Sequence, residues 1–438
     1  MGNLPNNREY RVKLTEVSDK LSWKTTTLGE VITLQRGFDL PEAQREPGLH
    51  PIVASTGVVG THAHAMVKGP GVVIGRSGSL GGGQYIKSHF WPLNTTLWVK
   101  DFKNNNPHFC YFLLKSLNLA QFNVGSGVPT LNRNHIHHLA VSIPSDVTEQ
   151  RRIAHVLGTL DDKIENNRKT AKTLESMAQA IFKSWFVDFD PVRAKMAGES
   201  RESICKRLKI TPEILDLFPD RLVDSELGEI PEGWKIGSFA DYADIVGGGT
   251  PSTKNPDYWF SGIHSWATPK DLSNLSLPVL LATENKITDA GLQKISSRLL
   301  PVGTVLLSSR APIGYLAITQ IPLAINQGFI ALKSYNCDDN VFLMFLIRHN
   351  LDKIIGRANG SIFLEICKTK FKPIQIVSPS QAVLRHFANL AGPLFACIVS
   401  LERLSRELTI QRDTMLPKLI SGEIRVPDAE HLVETSEA

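Results

Sequence analysis

Two long stretches of the chain carry apolar residues at alternating spacings of three and four. One stripe starts at Ile153 and runs to Trp185, and the other starts at Phe387 and runs to Leu419. This spacing over about five heptads is typical of coiled-coil helices. The separation between each position and its counterpart in the other stripe is constant, so we expect the two helices to pack on each other. The expected seam residues are Leu157, Leu160, Ile164, Leu174, Ile181, Leu394, Ile398, Leu401, Leu408 and Met415.

Polar residues and prolines interrupt both stripes. Asn167 lies in the first seam and Arg412 in the second, where a polar residue costs stability but fixes the register of the pairing. We expect Pro393 and Pro417 to restrict the second helix to roughly residues 394–416, because proline is tolerated only in a helix's first turn or past its end.

The remaining sequence consists mainly of short apolar runs broken by Gly, Pro, Asn and Ser. Runs such as VVIG, TLWV, VLLSS and GFIAL are typical of short strands joined by turns. Helices are expected near residues 107–120 and 339–353. The pattern predicts mixed α/β domains of an α+β-like kind, with more strand than helix.

The chain contains an internal repeat. The segment LSWKTTTLGEVITLQRG at 21–37 resembles EGWKIGSFADYADIVGG at 232–248, and LNTTLWV at 93–99 matches INQGFIA at 325–331. The second match pairs Asn94 with Asn326. The two segments of the second match lie farther apart than those of the first, which places an insertion of roughly twenty residues within 248–272 of the second copy.

These patterns predict an ordered series of segments. Two related globular domains each precede a long helix, and a charged, Pro- and Gly-containing connector joins the halves. The expected boundaries are an N-terminal segment 1–24, a first domain 25–146, a central helix 147–186, a connector 187–231, a second domain 232–380, a distal helix 381–422 and a tail 423–438.

Composition limits the class of protein without identifying it. A net charge of +5 permits a polyanionic partner but does not require one. The five cysteines are scattered without a C-x-x-C pair, so neither a zinc site nor a disulfide framework is indicated and a reducing cytoplasm is expected. The N-terminus lacks the apolar core of a signal peptide, and no run reaches the 18 apolar residues of a membrane span.

The glycine-rich stretch GVVIGRSGSLGGGQYI, residues 71–86, raises the question of a nucleotide site. The chain has no Gly-Lys dipeptide for a Walker A loop, and its glycine spacing does not fit a dinucleotide fingerprint. The stretch resembles VGTVLLSSRAPIG at 302–314, which has lost most glycines but keeps a serine and an arginine. A tight hairpin that approaches another backbone is the better interpretation.

Other motifs give no convincing catalytic or metal site. Asn255-Pro256-Asp257-Tyr258 resembles the N-P-P-Y tetrapeptide of DNA amino-methyltransferases, but no apolar strand leads into it and a turn is expected. The histidines of NRNHIHH at 132–138 have no matching carboxylate or cysteine, so a polar loop or strand edge is favoured over a metal site. No metal site and no catalytic residue is therefore assigned.

The polar residues of the glycine-rich hairpin and of related loops suit contact with DNA. Arginine is the commonest reader of guanine and Gln or Asn of adenine, while Ser and backbone N–H groups suit phosphates. A solvated turn is the alternative at each position. The candidates in the first copy are Arg76, Ser77, Ser79, Gln84, Asn94, Thr95, Ser126, Thr130, Asn132 and Arg133. Those in the second copy are Thr250, Lys270, Ser309, Arg310, Asn326, Gln327, Asn359 and Ser361.

Several long segments resemble the specificity subunits of type I restriction–modification systems, in the order in which that family has them. The strongest are QAIFKSWFVDFDPVRAKM and LFPDRLVDSELGEIPEGWK around the connector. WPLNTTLWVKDF with GSGVPTLNRNHI is similar to one target-recognition segment, and GGGTPSTKNPDYW, SWATPKDL and AINQGF to another.

The resemblance implies a DNA-recognition role without catalysis. Each globular copy would be a target-recognition domain that reads half of a split double-stranded site, and the helices would form an antiparallel coiled coil that sets the gap. The chain would bind two modification subunits that use S-adenosylmethionine to methylate adenine. Restriction subunits would add an ATP-driven motor and nuclease that uses Mg²⁺, and this chain would bind no cofactor itself.

Two other classes of function remain open from the sequence. A self-sufficient DNA methyltransferase-like enzyme with degenerate motifs predicts methyl transfer by the chain alone. A coiled-coil scaffold that pairs proteins without DNA predicts no salt-dependent DNA binding.

Overall fold

The chain folds into two compact units. The structure is a computed structural model and describes residues 23–336, 339–360 and 364–429. Of these residues, those up to 165 and from 406 onward form unit 1, and those between 166 and 405 form unit 2. Most of the expected N-terminal segment, Ser361 and the end of the tail lie outside the described residues.

Unit 1 contains a four-stranded sheet of order β2-β8-β5-β6, a three-stranded sheet β4-β3-β7 and the antiparallel pair β1-β9. Its strands are β1 Trp23–Thr27, β2 Thr33–Arg36, β3 His50–Ala54, β4 Gly57–His62, β5 Gly71–Gly75, β6 Gly81–Ile86, β7 Trp91–Pro92, β8 Thr96–Asp101 and β9 Ala140–Pro144. Its helices are α1 Leu28–Val31, α2 Pro107–Ser116, α3 Arg133–His137 and the first part of α4 Val147–Phe186, with 3₁₀ turns at Glu42–Gln44 and Leu119–Phe122.

The glycine-rich stretch of the sequence is the antiparallel β5–β6 hairpin. Strand β5 is buried along its whole length, and φ is positive at Gly78 in the turn and at Gly81, the first residue of β6. These backbone angles favour glycine because a side chain would clash. The expected tight hairpin is confirmed, and its glycines serve the backbone turn.

Unit 2 repeats this plan with more strands. Its sheets have the orders β13-β20-β17-β18-β15 and β16-β14-β19, beside the pairs β12-β21 and β10-β11. Its strands are β10 Leu222–Ser225, β11 Gly228–Pro231, β12 Lys235–Ser238, β13 Ala243–Gly247, β14 His264–Ala267, β15 Val279–Leu280, β16 Asn285–Ile287, β17 Val305–Ser309, β18 Ile313–Thr319, β19 Leu323–Ile325, β20 Phe329–Ser334 and β21 Gln375–Ser378.

The helices of unit 2 include three in the expected connector. The connector helices are α5 Asp190–Met196, α6 Arg201–Leu208 and α7 Pro212–Leu215. The later helices are α8 Pro269–Ser273, α9 Asp289–Gln293, α10 Asn340–His349, α11 Leu351–Gly356, α12 Lys368–Phe371 and α13 Gln381–Ser421, with 3₁₀ turns at Phe239–Asp241 and Pro256–Tyr258. The expected connector therefore contains three short helices, and the hairpin β10–β11 completes it.

The two long helices α4 and α13 pack together, as the stripes predict. In unit 1, Leu160 and Ile164 of α4 bury against Leu408 of α13. In unit 2, Trp185 of α4 lies 6.3 Å from Phe387 of α13, ring centre to ring centre. The start of each helix thus packs against the end of the other, so the pairing is antiparallel.

The remaining seam positions also face the partner helix or a core, and they are buried to different degrees. Leu157, Ile398 and Met415 are buried, and the residues Leu174, Ile181, Leu394 and Leu401 are partly buried against the core of unit 2. Arg412 is tolerated in the seam because its guanidinium forms an ion pair with Asp161 of α4.

The expectation that prolines shorten the second helix is wrong. Helix α13 runs without a break from Gln381 to Ser421 and includes Pro393 and Pro417. An interior proline costs about 3 kcal/mol. Phe387 and Leu419, which flank the two prolines, are fully buried; burying one such side chain contributes about 1.5–3 kcal/mol. Tertiary packing therefore outweighs the local cost.

By length and composition, α13 is the one helix among the described residues that could cross a membrane. Its apolar positions, however, form the seam with α4 and part of the cores of both units. A core helix passes the same test of composition, and we interpret α13 as one.

A charge placed in the seam should unfold unit 1. Leu160 is only 1% exposed, so Leu160→Asp would bury a carboxylate without a partner and should lower the free energy of unfolding by at least about 3 kcal/mol. Urea denaturation measures this change. Thr170→Asp, at an exposed position of the same helix, is the matched control and should change stability by less than about 0.5 kcal/mol. Equal effects of both variants would contradict the seam.

Candidate nucleic-acid interface

Three loops of unit 1 meet beside the end of strand β5. The Arg76 N–H donates to the Thr95 carbonyl at 2.9 Å, and the Leu131 N–H donates to the Arg76 carbonyl at 2.8 Å. A β-bridge joins Ser77 to Thr130. These main-chain bonds bring together candidates that lie far apart in sequence.

Side chains in this cluster are tied down by short-range polar contacts. The Arg76 guanidinium donates to the Asn94 carbonyl at 3.3 Å, and the Asn94 amide donates to the Asp39 carboxylate. The Thr95 hydroxyl accepts from the Ser55 N–H at 3.4 Å. Arg76, Asn94 and Thr95 are all half-buried, so each keeps part of its polar surface at the protein exterior.

The other first-copy candidates surround this cluster or serve the backbone. Ser79 and Ser126 are exposed in their loops. Gln84 donates to the Ala54 carbonyl at 3.4 Å, and Asn132 caps helix α3 by accepting from the Asn134 N–H at 3.0 Å. Arg133 is exposed and its guanidinium reaches the Leu34 carbonyl at 3.5 Å.

The histidines of NRNHIHH lie on a helix, which corrects the expectation of a loop or strand edge. His135 and His137 are part of α3. The His137 ring accepts from the Leu34 N–H at 3.2 Å, and burial, followed by the nearby Arg133, lowers the pKa of His137. A neutral ring suits this acceptor role. No group of three potential ligands that could hold a metal ion occurs among the described residues.

Unit 2 builds a corresponding cluster at the end of β17. The Ser309 N–H donates to the Gly328 carbonyl at 2.8 Å, and the Ile366 N–H donates to the Ser309 carbonyl at 3.0 Å. The Arg310 guanidinium lies 3.9 Å from the Glu365 carboxylate, and Glu365 pairs through its main chain with Asn359.

The side chains of the other second-copy candidates differ in exposure and in the bonds that they already form within the chain. The Thr250 hydroxyl donates to the Gln327 side chain, and both residues are exposed. Asn326 accepts from the Gly328 N–H at 2.9 Å. Lys270 is exposed but forms an ion pair with Glu284 at 2.8 Å. The Ser309 side chain is buried, so its role is limited to the main chain.

The hydrogen bonds show which residues of the two copies are equivalent. The pair Arg76–Thr95 in unit 1 corresponds to Ser309–Gly328 in unit 2, because each joins the same strand end to the same loop. Both members of the pair are displaced by the same number of positions in the sequence. The match of Asn94 with Asn326 is therefore one residue out of register, and Asn94 corresponds to Gln327. Likewise Arg310 corresponds to Ser77 and not to Arg76.

Sequence reasoning missed a basic group on α12. Lys370 donates to the Asn359 side-chain oxygen, and the side chain of Lys368 lies against Gly247 at the end of β13. The signal was the run CKTKFK at 367–372, in which alternate residues are lysine. This run follows the segment ANGS at 358–361, in which Asn359 and Ser361 are the more obvious polar candidates.

The sequence matches a known family in both copies. The model of the type I restriction modification DNA specificity domain matches residues 20–176 and again residues 231–382. The chain belongs to this family.

Individual members show the same relationship. The specificity subunit of the type I restriction enzyme HindI from Haemophilus influenzae is 27% identical over 359 residues, which cover 73% of this chain and 77% of that protein. The MjaIX specificity subunit of Methanocaldococcus jannaschii is 36% identical over 159 residues, 36% of this chain and 37% of that one. The S subunit structure from M. genitalium has a TM-score of 0.55 at 16% identity and covers 96% of this chain and 98% of that chain, a likeness of fold.

Each specificity domain places a glycine where its cluster is most crowded. A Cβ atom on Gly37 would lie closer than 3.0 Å to the carbonyl oxygen of Leu93, and one on Gly248 would lie as close to the equivalent carbonyl oxygen of Asn326. Gly37 and Gly248 are equivalent, because they close the matched segments 21–37 and 232–248 that precede the insertion. The loop at Leu93 or Asn326 can therefore approach the end of the preceding matched segment only where no side chain intervenes.

The crowding at Gly248 predicts a selective loss of stability. Gly248→Ala should displace the loop at Asn326 and lower the free energy of unfolding by about 1–3 kcal/mol, since inserted atoms force backbone shifts. Gly249→Ala is the matched control, because a Cβ there meets nothing closer than 3.9 Å. Thermal unfolding of the two variants measures the difference. If Gly249→Ala is as unstable as Gly248→Ala, close approach is not the reason for the glycine.

Proposed function

We propose that this chain reads a bipartite DNA sequence for a type I restriction–modification complex, one half-site for each specificity domain. The observation that carries the proposal is the doubled family match, together with equivalent polar clusters at the ends of β5 and β17. Within each cluster, arginine and amide side chains suit base edges, while hydroxyl groups and N–H groups suit phosphates.

We propose further that helices α4 and α13 fix the spacing between the half-sites and dock two modification subunits. Helix α4 has 40 residues, which corresponds to about 60 Å at 1.5 Å per residue. Residues of this helix are buried in the cores of both units. A long paired helix of this kind suits a spacer between two half-sites.

The chemistry in this proposal belongs to partner subunits in the cytoplasm. The modification subunits would use S-adenosylmethionine to methylate adenine, and restriction subunits would use ATP and Mg²⁺. This chain would supply sequence recognition and bind none of these cofactors. The relatives are specificity subunits by name, which supports a non-catalytic role.

The self-sufficient methyltransferase is the weaker alternative. Its only support in the sequence was Asn255-Pro256-Asp257-Tyr258, which forms a short 3₁₀ turn in which the Asn255 side chain accepts from the Asp257 N–H at 3.0 Å. A catalytic Asn of this motif would need that oxygen for a base. The turn therefore supports a structural role for the tetrapeptide.

An exchange of the first domain tests the proposed layout. Replacing residues 25–146 by the corresponding segment of another specificity subunit should change one half of the methylated sequence and leave the other half intact. Mapping methylated adenines in cells that express the chain with its modification subunit reads both halves at once. A change in both halves, or none, would contradict one half-site per domain.

Single arginines should contribute to one half-site each. Arg76→Ala or Arg310→Ala should weaken binding of the complex to its site by about 1–3 kcal/mol if the arginine contacts a base bidentately. Sequence preference should relax in only the corresponding half. Equilibrium binding to duplexes altered in either half-site measures both effects, with Arg201→Ala at an exposed position of α6 as control.

Salt titration of the same complexes separates base contacts from phosphate contacts. Wild-type affinity should fall steeply with salt, because neutralised phosphates release counterions. An arginine that reads a base changes affinity with little change of slope, whereas loss of one phosphate contact reduces the slope by about one. Affinity that hardly responds to salt would favour the scaffold alternative that does not bind DNA.

A further inference from the structure

The most exposed aromatic side chain among the large apolar residues of unit 2 belongs to the insertion that only the second copy carries. Phe260 is 80% exposed and Ile263, three residues later, is 66% exposed. Leaving a phenyl ring in water costs free energy that burial would recover. Burial of these two side chains against a partner would recover that free energy.

The turn that carries Phe260 is held rigidly. The Phe260 N–H donates to the Pro256 carbonyl at 2.8 Å, and the next turn bond joins the Gly262 N–H to the Trp259 carbonyl at 3.1 Å. Ser261 between them has a left-handed φ of 57°, an uncommon angle for a residue other than glycine. The Trp259 ring packs edge-on against the buried Trp266 at 5.0 Å. Phe260 is thus presented outward by a fixed frame.

The same frame joins Phe260 to the polar cluster of unit 2. The Trp259 indole N–H donates to the Ser252 carbonyl at 3.1 Å, and Ser252 lies two residues after Thr250, which bonds to Gln327. Two residues of chain span at most about 7 Å. With the indole and its hydrogen bond added, Phe260 lies within roughly 20 Å of Gln327, or about six base pairs at 3.4 Å each.

Charge and size favour DNA over a protein as the partner of this tip. Lys254 precedes the turn and the main chain of Lys286 lies against it; within the described residues neither lysine forms an ion pair. The carboxylates nearest to them in sequence are Asp257 and Glu284, and the latter is paired with Lys270. Two apolar side chains are far too few for the core of a protein interface, which buries about 800 Å² on each partner. One or two apolar side chains are, however, what a DNA-kinking wedge requires.

We propose that Phe260 inserts at a base step in or beside the second half-site, with Ile263 covering the flank of the ring. This inference rests on the proposed DNA-reading function and adds a deformation of the DNA that only the second domain performs. Unstacked base steps differ in stiffness with sequence. The wedge therefore contributes to the specificity of the second half-site without a hydrogen bond to a base.

Fluorescence of 2-aminopurine tests the insertion in the assembled complex. Duplexes carrying the methylated sequence of the system would contain the probe at each position of the second half-site and its flank in turn. The adenine to be methylated should brighten because the modification subunits would flip it out of the stack. The wild-type complex should in addition raise the fluorescence at one other step, where the wedge unstacks the probe. Phe260→Ala should abolish this rise and weaken binding about tenfold, whereas Phe260→Trp should keep both. Tyr335→Ala, which truncates an exposed aromatic residue just after β20, is the matched control and should change neither.

Each outcome decides between explanations. Phe260→Ala with unchanged fluorescence and affinity would overturn the wedge while leaving the proposed function intact. If this variant instead loses a modification subunit in native mass spectrometry, the tip contacts protein and the wedge is wrong. A wild-type complex that does not bind the duplex selectively would reject the proposed function itself. The thermal unfolding temperature of Phe260→Ala should match the wild type, because the ring makes little contact in the folded chain.

Discussion

The burial of one seam between α4 and α13 is the interaction on which both units depend. Each helix contributes to two cores. Helix α4 places Leu157 in the core of unit 1 and Trp185 in that of unit 2, and α13 places Leu419 in the first and Phe387 in the second. A buried side chain of this size contributes about 1.5–3 kcal/mol, so the many seam residues outweigh the prolines and the charged residue that interrupt the stripe. Neither unit is complete without residues from both helices, which means that a unit's stability depends on segments far apart in the sequence.

Two equivalent tryptophans tie the ends of these helices to the domains. Trp23 donates from its indole N–H to the Ile420 carbonyl at 2.7 Å, and the Arg425 guanidinium lies over its ring at 4.5 Å. Trp234, its counterpart in the second copy, packs against Phe186 at the end of α4, with ring centres 6.0 Å apart. In each unit the start of the specificity domain is therefore anchored to the end of a long helix that is not its own. Each copy of the repeat therefore contacts the long helix that follows the other copy in the sequence.

Much of this fold was readable from the sequence, because the seam and the short strands have strong periodicities. The β5–β6 hairpin and the packing of the two stripes on each other follow from such signals, whereas the antiparallel direction of that pairing was implied by the family resemblance. The extent of α13 did not, because a local rule about proline ignores the packing around Phe387. The NRNHIHH segment was misjudged for a related reason, since the Asn132 cap and the Leu34 contact that support α3 come partly from distant sequence.

Among the site candidates, proximity of Arg76, Asn94 and Thr130 depends on main-chain bonds between loops, which no local pattern reveals. Ser309 is an error in the other direction: its polar side chain suggested a DNA contact, but the side chain is buried and cannot make one.

The arginine of the unit 2 cluster lies one position later than that of the unit 1 cluster, and this shift has consequences for recognition. Successive residues of an extended strand point to opposite sides, so Arg310, which corresponds to Ser77, does not present its guanidinium as Arg76 does. Their settings differ as well, because Arg76 bonds to a neutral carbonyl whereas Arg310 lies 3.9 Å from the Glu365 carboxylate. To contact a guanine, Arg310 must weaken that ion pair and leave a carboxylate beside the DNA, which is unfavourable unless a donor such as the cytosine amino group compensates for it. If both arginines contact bases as proposed, their different settings mean that transferring one arginine between the domains would not transfer its base preference.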